Sequence, residues 1–300
     1  MALEIINSKI IGVIDNLENK LEGKLPVTRE ELLVLVNSWG RLEGFNIKDS
    51  NNQTLKIEEC EATQTEQTEF VRKECYDLSK LDTSEITDML SIFRHSNFNG
   101  DISNWNTSNV TNMERMFYNA YSFNQPLNFD TSNVTNMERM FAYARTFNQL
   151  LNFDTSKITN MKSMFYQAKS FNQPVIFDTR NVTSMASMFN NASSFNQPLN
   201  FNTSKVTSMI SMFSYARVFN QPLNFDISNV ISMYEMFNET NAFKDKYNNG
   251  KTLLDYTEDI KEWLNDNRYR MNDLDIKDKY GNQIDDFFSD ITNLTKEIKR

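Results

Sequence analysis

From residue 81 to about residue 243 the apolar positions recur with a period of 24. Shifting the chain by 24 residues aligns Trp105, Phe129, Phe153, Phe177, Phe201 and Phe225 without an insertion, and Leu81 begins a degenerate earlier copy, making seven units. A fixed period without insertions is what stacked repeats require, because each unit must register on the next. Within a unit the periodicity changes once. Met113, Met116, Phe117 and Ala120 stand at i, i+3, i+4 and i+7. With Thr111 and Glu114 at capping-box spacing before them, and Thr135 and Glu138 repeating it, they predict a short helix. Beyond Phe123, the residues Leu127 and Phe129 are two apart and predict a short strand with one buried face. Asp130, Thr131 and Ser132 read as a polar turn. Pro126, Pro174, Pro198 and Pro222, with Leu150 breaking the column, are placed at the strand edge, where no ladder donor is needed.

Each column of the repeat carries its own expectation. Thirteen of the fifteen methionines fall in two columns at helical spacing and are assigned to the core. Ala120, Ala144, Ala168, Ala192 and Ala216 mark a close passage of backbones. Asn124, Asn148, Asn172, Asn196 and Asn220 read as a ladder that satisfies backbone groups of the adjacent unit, with a ligand-facing row as the alternative. Asp82, Asp130, Asp154, Asp178 and Asp226, with Asn106 and Asn202 in the same column, read as turn stabilisers, with a cation-binding carboxylate stack as the alternative. Facing out from the strand row, Asn128, Asn152, Ile176, Asn200 and Asn224 form a mostly amide column suited to a protein partner. Tyr118, Tyr166 and Tyr215, with Tyr143 displaced by one position, add aromatic handles.

Residues 1–80 and 244–300 lack the period and are read as end caps, which an apolar stack needs in order to stay soluble. In the first, helices are predicted over about 3–21 and 28–42, the second opened by Thr28 with Glu30 and Glu31 in its first turn, and a hairpin over 47–57. The second is read as a helical cap. Cys60 and Cys75 are too few for a disulfide framework and stand either as two thiols or as one bridge.

Composition narrows the chemistry. The net charge is −9, from 31 basic and 40 acidic residues, so no nucleic-acid footprint is advertised. His95 is the sole histidine, which excludes a His-based triad, a two-histidine metal site and a zinc motif. Asp273, Asp275 and Asp278 resemble a calcium loop, but Lys277 takes a ligand position and the mid-loop glycine is missing. No cofactor is expected. No apolar run is long enough to span a membrane, and the first twenty residues carry charges through their apolar stripe, unlike a signal peptide. Sequons at Asn109, Asn133 and Asn181 would crowd the stack if glycosylated.

The pattern VTxMxxMFxxAxxFNQPLxFDTS resembles the BspA-like leucine-rich-repeat family, in the variant abundant in mycoplasma-type surface lipoproteins. The resemblance covers about 160 residues and implies a right-handed α/β solenoid with short strands on one side and short helices or turns on the other. It also implies adhesion or protein-binding roles and transfers no catalytic residue. The chain is therefore expected to be a non-enzymatic interaction or structural scaffold, self-associating or joined to a larger assembly such as a viral particle or surface layer. A cytoplasmic or particle-associated location goes with this reading. A secreted or surface adhesin is the first alternative, and an enzyme with its chemistry in residues 1–80 the second.

Overall fold

The structure, a computed structural model, describes residues 17–38 and 77–242 apart from 222 and 224, together with four short strand segments. In chain order these are β1 (Glu4–Ile6), β2 (Lys9–Ile11), α1 (Leu17–Leu21), α2 (Arg29–Ser38), β3 (Thr63–Gln64) and β4 (Phe70–Val71). The strands β1 and β2 pair antiparallel, with Ile5 opposite Ile10, and β3 pairs antiparallel with β4. Of the helix expected over 3–21, the described residues form β1 and β2 at its start and helix only in α1. Two β-branched isoleucine doublets on either side of Asn7 and Ser8 favour a paired ribbon over a continuous helix. The expected hairpin over 47–57, both cysteines, the calcium-like stretch near 273–278 and the C-terminal cap lie outside the described residues.

The start of α2 matches its sequence signal. Thr28 Oγ1 accepts the Glu31 amide at 3.3 Å, and Glu31 Oε2 accepts the Thr28 amide at 2.8 Å, a reciprocal capping box. The buried Glu31 also takes Lys20 Nζ at 2.6 Å, which ties α1 to α2. Residues between and after them join the first repeat: Pro26 bridges Asp82 in parallel, Val27 donates to the Asp82 carbonyl at 2.9 Å, and Arg29 Nη2 donates to the Leu90 carbonyl at 2.6 Å.

Consecutive repeat units are joined by parallel bridges running Asp88, Asn112, Asn136, Asn160, Ser184, Ser208 and Ser232, each 24 residues from the last. The predicted helix is absent. Its amides alternate instead: Met116, Tyr118 and Ala120 donate three residues back, while Met113, Arg115, Phe117 and Asn119 donate to carbonyls of the next unit. Two residues per unit make this alternation by adopting positive φ. They form two columns of seven, Ser91 to Glu235 and His95 to Glu239, with φ between 51° and 61°, and no glycine among them. From Ser91 to Tyr215 each such residue donates its N–H to the next unit at 2.7–3.0 Å. The left-handed conformation costs roughly 1–2 kcal/mol per non-glycine residue, and a backbone hydrogen bond between units, shielded by packed neighbours, offsets it. The Thr111–Glu114 capping box does not form either. Asn112 Oδ1 takes the Glu114 amide at 3.0 Å, and Thr111 Oγ1 reaches the Thr87 carbonyl in the preceding unit at 3.3 Å.

The core is continuous from α2 to the last unit. Phe93, Phe117, Phe141, Phe165, Phe189, Phe213 and Phe237 stack nearly parallel with centroids 5.1–5.8 Å apart. A second column, Phe123 to Phe219, stacks beside it. The methionine and alanine columns are buried, as expected. Leu127 and Phe129 are buried with Asn128 exposed between them, but pairing there is limited to a bridge between Leu127 and Leu151. Pro126, Pro174 and Pro198 are exposed, and Pro222 lies outside the described residues.

Polar columns close the seams between units. Asn148, Asn172, Asn196 and Asn220 amides each donate to the preceding asparagine's Oδ1 at 2.9 Å, which is the expected ladder, although its members are half-buried rather than buried. Buried Thr83, Thr107, Thr131, Thr155, Thr179 and Thr203 donate their hydroxyls to the following unit at 2.8–3.0 Å. Sequon residues Asn109, Asn133 and Asn181 spend their Nδ2 on carbonyls of the preceding unit at 2.8–2.9 Å.

Candidate functional site

With the packing residues turned inward, the flanks carry what is left for recognition. Asn128, Asn152, Ile176 and Asn200 are exposed, Ile176 by 80%, while Asn224 lies outside the described residues. On the turn side, the tyrosines do not form the single row expected. Tyr118 and Tyr166 occupy one position of the unit, whereas Tyr143 and Tyr215 occupy the next, which is one of the positive-φ columns. Adjacent positions still bring three of the rings together. Tyr118 and Tyr143 meet edge-to-face at 5.3 Å, and Tyr143 and Tyr166 at 5.2 Å. Tyr215 stands apart and is 41% exposed.

The tyrosine rungs line a groove of about 640 Å³ with Arg94, Arg115, Arg139 and Lys162. Sequence reasoning overlooked these cations, since no arginine column runs through more than two units. Arg94 lies over the Tyr118 ring at 5.5 Å, where the quadrupole attracts a guanidinium. His95 and Tyr118 meet edge-to-face at 5.6 Å, and His95 Nδ1 contacts Asn119 Nδ2 at 2.8 Å. Arg115 pairs with Glu114 at 2.6 Å and Arg139 with Glu138 at 3.0 Å. Those two carboxylates also accept the Nδ2 of Asn136 and Asn160 from the next unit. Burial, with the hydroxyl contact to Tyr166 next in weight, pushes the Tyr143 phenol up from its ordinary value.

The aspartate column behaves as a set of turn braces. Asp130, Asp154 and Asp226 each accept the amide two residues on at 2.9–3.0 Å. Hydrogen bonds from the Ser132, Ser156 and Ser228 side chains, then their amides, hold these carboxyls below the ordinary value of 3.8. Among the described residues, no group of three or more His, Cys, Asp or Glu side chains is placed to hold a metal ion. Because the folded value is the lower one, this bracing is complete above the unfolded carboxyl's value and is lost as pH falls through the folded one. Asn106 and Asn202 accept the same amide at 3.1 Å without a charge. The triple variant D130N/D154N/D226N is therefore expected to keep its urea midpoint at neutral pH and to lose less of it than the parent at about pH 3. Urea curves at the two pH values test this, and equal acid losses would refute it.

A family model described as "Mycoplasma protein of unknown function, DUF285" matches residues 59–175 and 149–250, so that more than half of the chain is covered. The chain belongs to this family, which is the BspA-like repeat family. No curated protein and no solved structure matches it. Among the described residues, no helix is long and apolar enough to cross a membrane.

Proposed function

We propose that the chain is a non-enzymatic scaffold for protein–protein interaction, built as a right-handed leucine-rich-repeat-like solenoid of about seven 24-residue units with a cap at each end. The observation that carries the reading is the division of labour between columns. Met, Phe, Ala and Thr columns are buried and meet the adjacent units, whereas Asn128, Asn152, Ile176 and Asn200 recur exposed on one flank. A column of amides offers both donors and acceptors at each step, and Ile176 adds an apolar contact near its middle. Membership of a repeat family agrees with a role presented by a surface rather than by one catalytic centre.

Affinity capture with the intact chain, followed by identification of what is retained, names the partner. The variant N128A/N152A/I176N/N200A removes the column without touching the core. We expect it to bind the captured partner at least tenfold more weakly while unfolding at the parent's urea midpoint. Unchanged capture would eliminate this flank as the binding face.

A further inference from the structure

The groove on the turn side breaks the uniformity of the repeat in a way that packing does not require. Its cations come one per unit over four successive units: Arg94, Arg115, Arg139 and Lys162. They are four of the ten basic residues in 81–243. In the following units the position of Arg115 and Arg139 is held by Ser163, Ser187 and Ser211, and that of Lys162 by Ala186 and Ile210. Those later units stack on the same phenylalanine columns and make the same inter-unit amide bonds, so the basic side chains are dispensable for the fold.

The charge of this groove is opposite to that of the chain. Glu114 and Glu138 neutralise two of the four cations through their ion pairs, leaving an excess of about two positive charges on a protein of net −9. The excess is spread along the stack instead of converging on one point, which suits an elongated anion rather than a single phosphate group. It is also small for a nucleic acid, whose non-specific affinity comes essentially from neutralising many phosphates with Lys and Arg. Base stacking needs free ring faces. Here the tyrosines meet edge-to-face along the row and Arg94 lies over Tyr118, so these ring faces are already engaged by neighbours.

We infer that this groove docks an extended acidic peptide segment of the partner, with its carboxylates meeting the Arg and Lys side chains of successive units and its chain running along the tyrosine row. The inference rests on the scaffold reading above. Units repeat every 5.1–5.8 Å along the phenylalanine column, and side chains on one face of an extended peptide repeat every ~6.6 Å. Long, flexible basic side chains take up that difference over three or four steps.

Fluorescence anisotropy of the intact chain with a labelled decapeptide carrying Glu at alternate positions, and with its Gln counterpart, tests the inference. The Glu peptide is expected to bind at least tenfold more tightly than the Gln peptide, and to weaken as salt is raised. R94Q/K162Q, which disturbs neither Glu–Arg pair, is expected to lower its affinity at least fivefold at an unchanged urea midpoint, and R115Q/R139Q to lower it further. Equal binding of the two peptides, R94Q/K162Q binding like the parent, or tighter binding of a single-stranded DNA oligonucleotide of the same charge would overturn it. If the groove variants keep the captured partner while the amide-column variant loses it, this inference falls and the scaffold reading stands. Loss of the partner from neither set removes both.

Discussion

Replacing Phe165 by alanine is expected to cost about 3–5 kcal/mol of folding free energy, the range found when a large aromatic is truncated in a closed core. Phe165 is fully buried and lies 5.8 Å from Phe141, 5.5 Å from Phe189 and 4.1 Å from Phe171. Its removal therefore interrupts one column and unseats the ring beside it. Neither adjacent unit can close over the gap, because inter-unit amide bonds hold Met164 on Phe141 and Met188 on Phe165 at 2.9 Å. Phe165→Leu keeps most of the volume and loses the ring stacking, so a smaller loss of about 1–2 kcal/mol is expected. Urea unfolding followed by far-ultraviolet dichroism measures both. In a chain whose units contact mainly their neighbours, a central lesion also uncouples the two sides. The alanine variant should then unfold in two steps, with hydrogen exchange faster from about residue 150 to 190 than near the first unit. A single transition within 1 kcal/mol of the parent would show that the phenylalanine column does not hold the units together.

The buried columns were legible because burial imposes a pattern on each unit independently. Met113, Phe117 and Ala120 recur at fixed spacing for the same reason that they are buried: each faces its own copy one unit away. Thr28 with Glu31 was legible because a capping box is local in sequence. The missing helix was not. Apolar residues at i, i+3, i+4 and i+7 fit two turns of α-helix, and they fit equally a path of two tight turns whose alternate amides leave for the next unit. What decides between them is nonlocal: the carbonyls of Glu138 and Ala142 stand ready to accept from Arg115 and Asn119. The residues forced to positive φ are Ser, His, Arg, Asn, Tyr, Gln and Glu, so no glycine announces the turn. That choice has a functional consequence. A glycine there would carry no side chain, whereas Arg115, Arg139 and Tyr143 use the same backbone geometry to line the groove. The groove itself escaped notice for the converse reason, since its basic residues break the period instead of following it.

Gly23→Ala is expected to release residues 17–38 from the first repeat, at a cost of about 2–4 kcal/mol. Gly23 has φ of 71°, but that alone does not set the cost, because fourteen other described residues occupy the same region with side chains. What distinguishes Gly23 is its neighbour: a Cβ built there would stand 2.3 Å from the backbone oxygen of Lys80. Backbone cannot rotate aside as a flexible side chain can, so the two segments must separate. Lys80 immediately precedes the unit that Pro26 and Val27 engage through Asp82. Displacement there also pulls on Leu78, whose carbonyl accepts Trp105 Nε1 at 2.8 Å in the second unit. The expected result is therefore local: early cleavage by protease within 17–38, a lower thermal midpoint, and repeat units beyond about residue 130 that keep their parental protection. Gly23→Asn separates the two causes. Asparagine is at ease at positive φ, so a loss as large as alanine's assigns the effect to the Lys80 carbonyl. If Gly23→Ala left both the protease pattern and the midpoint unchanged, the seating of residues 17–38 against the first unit would be refuted.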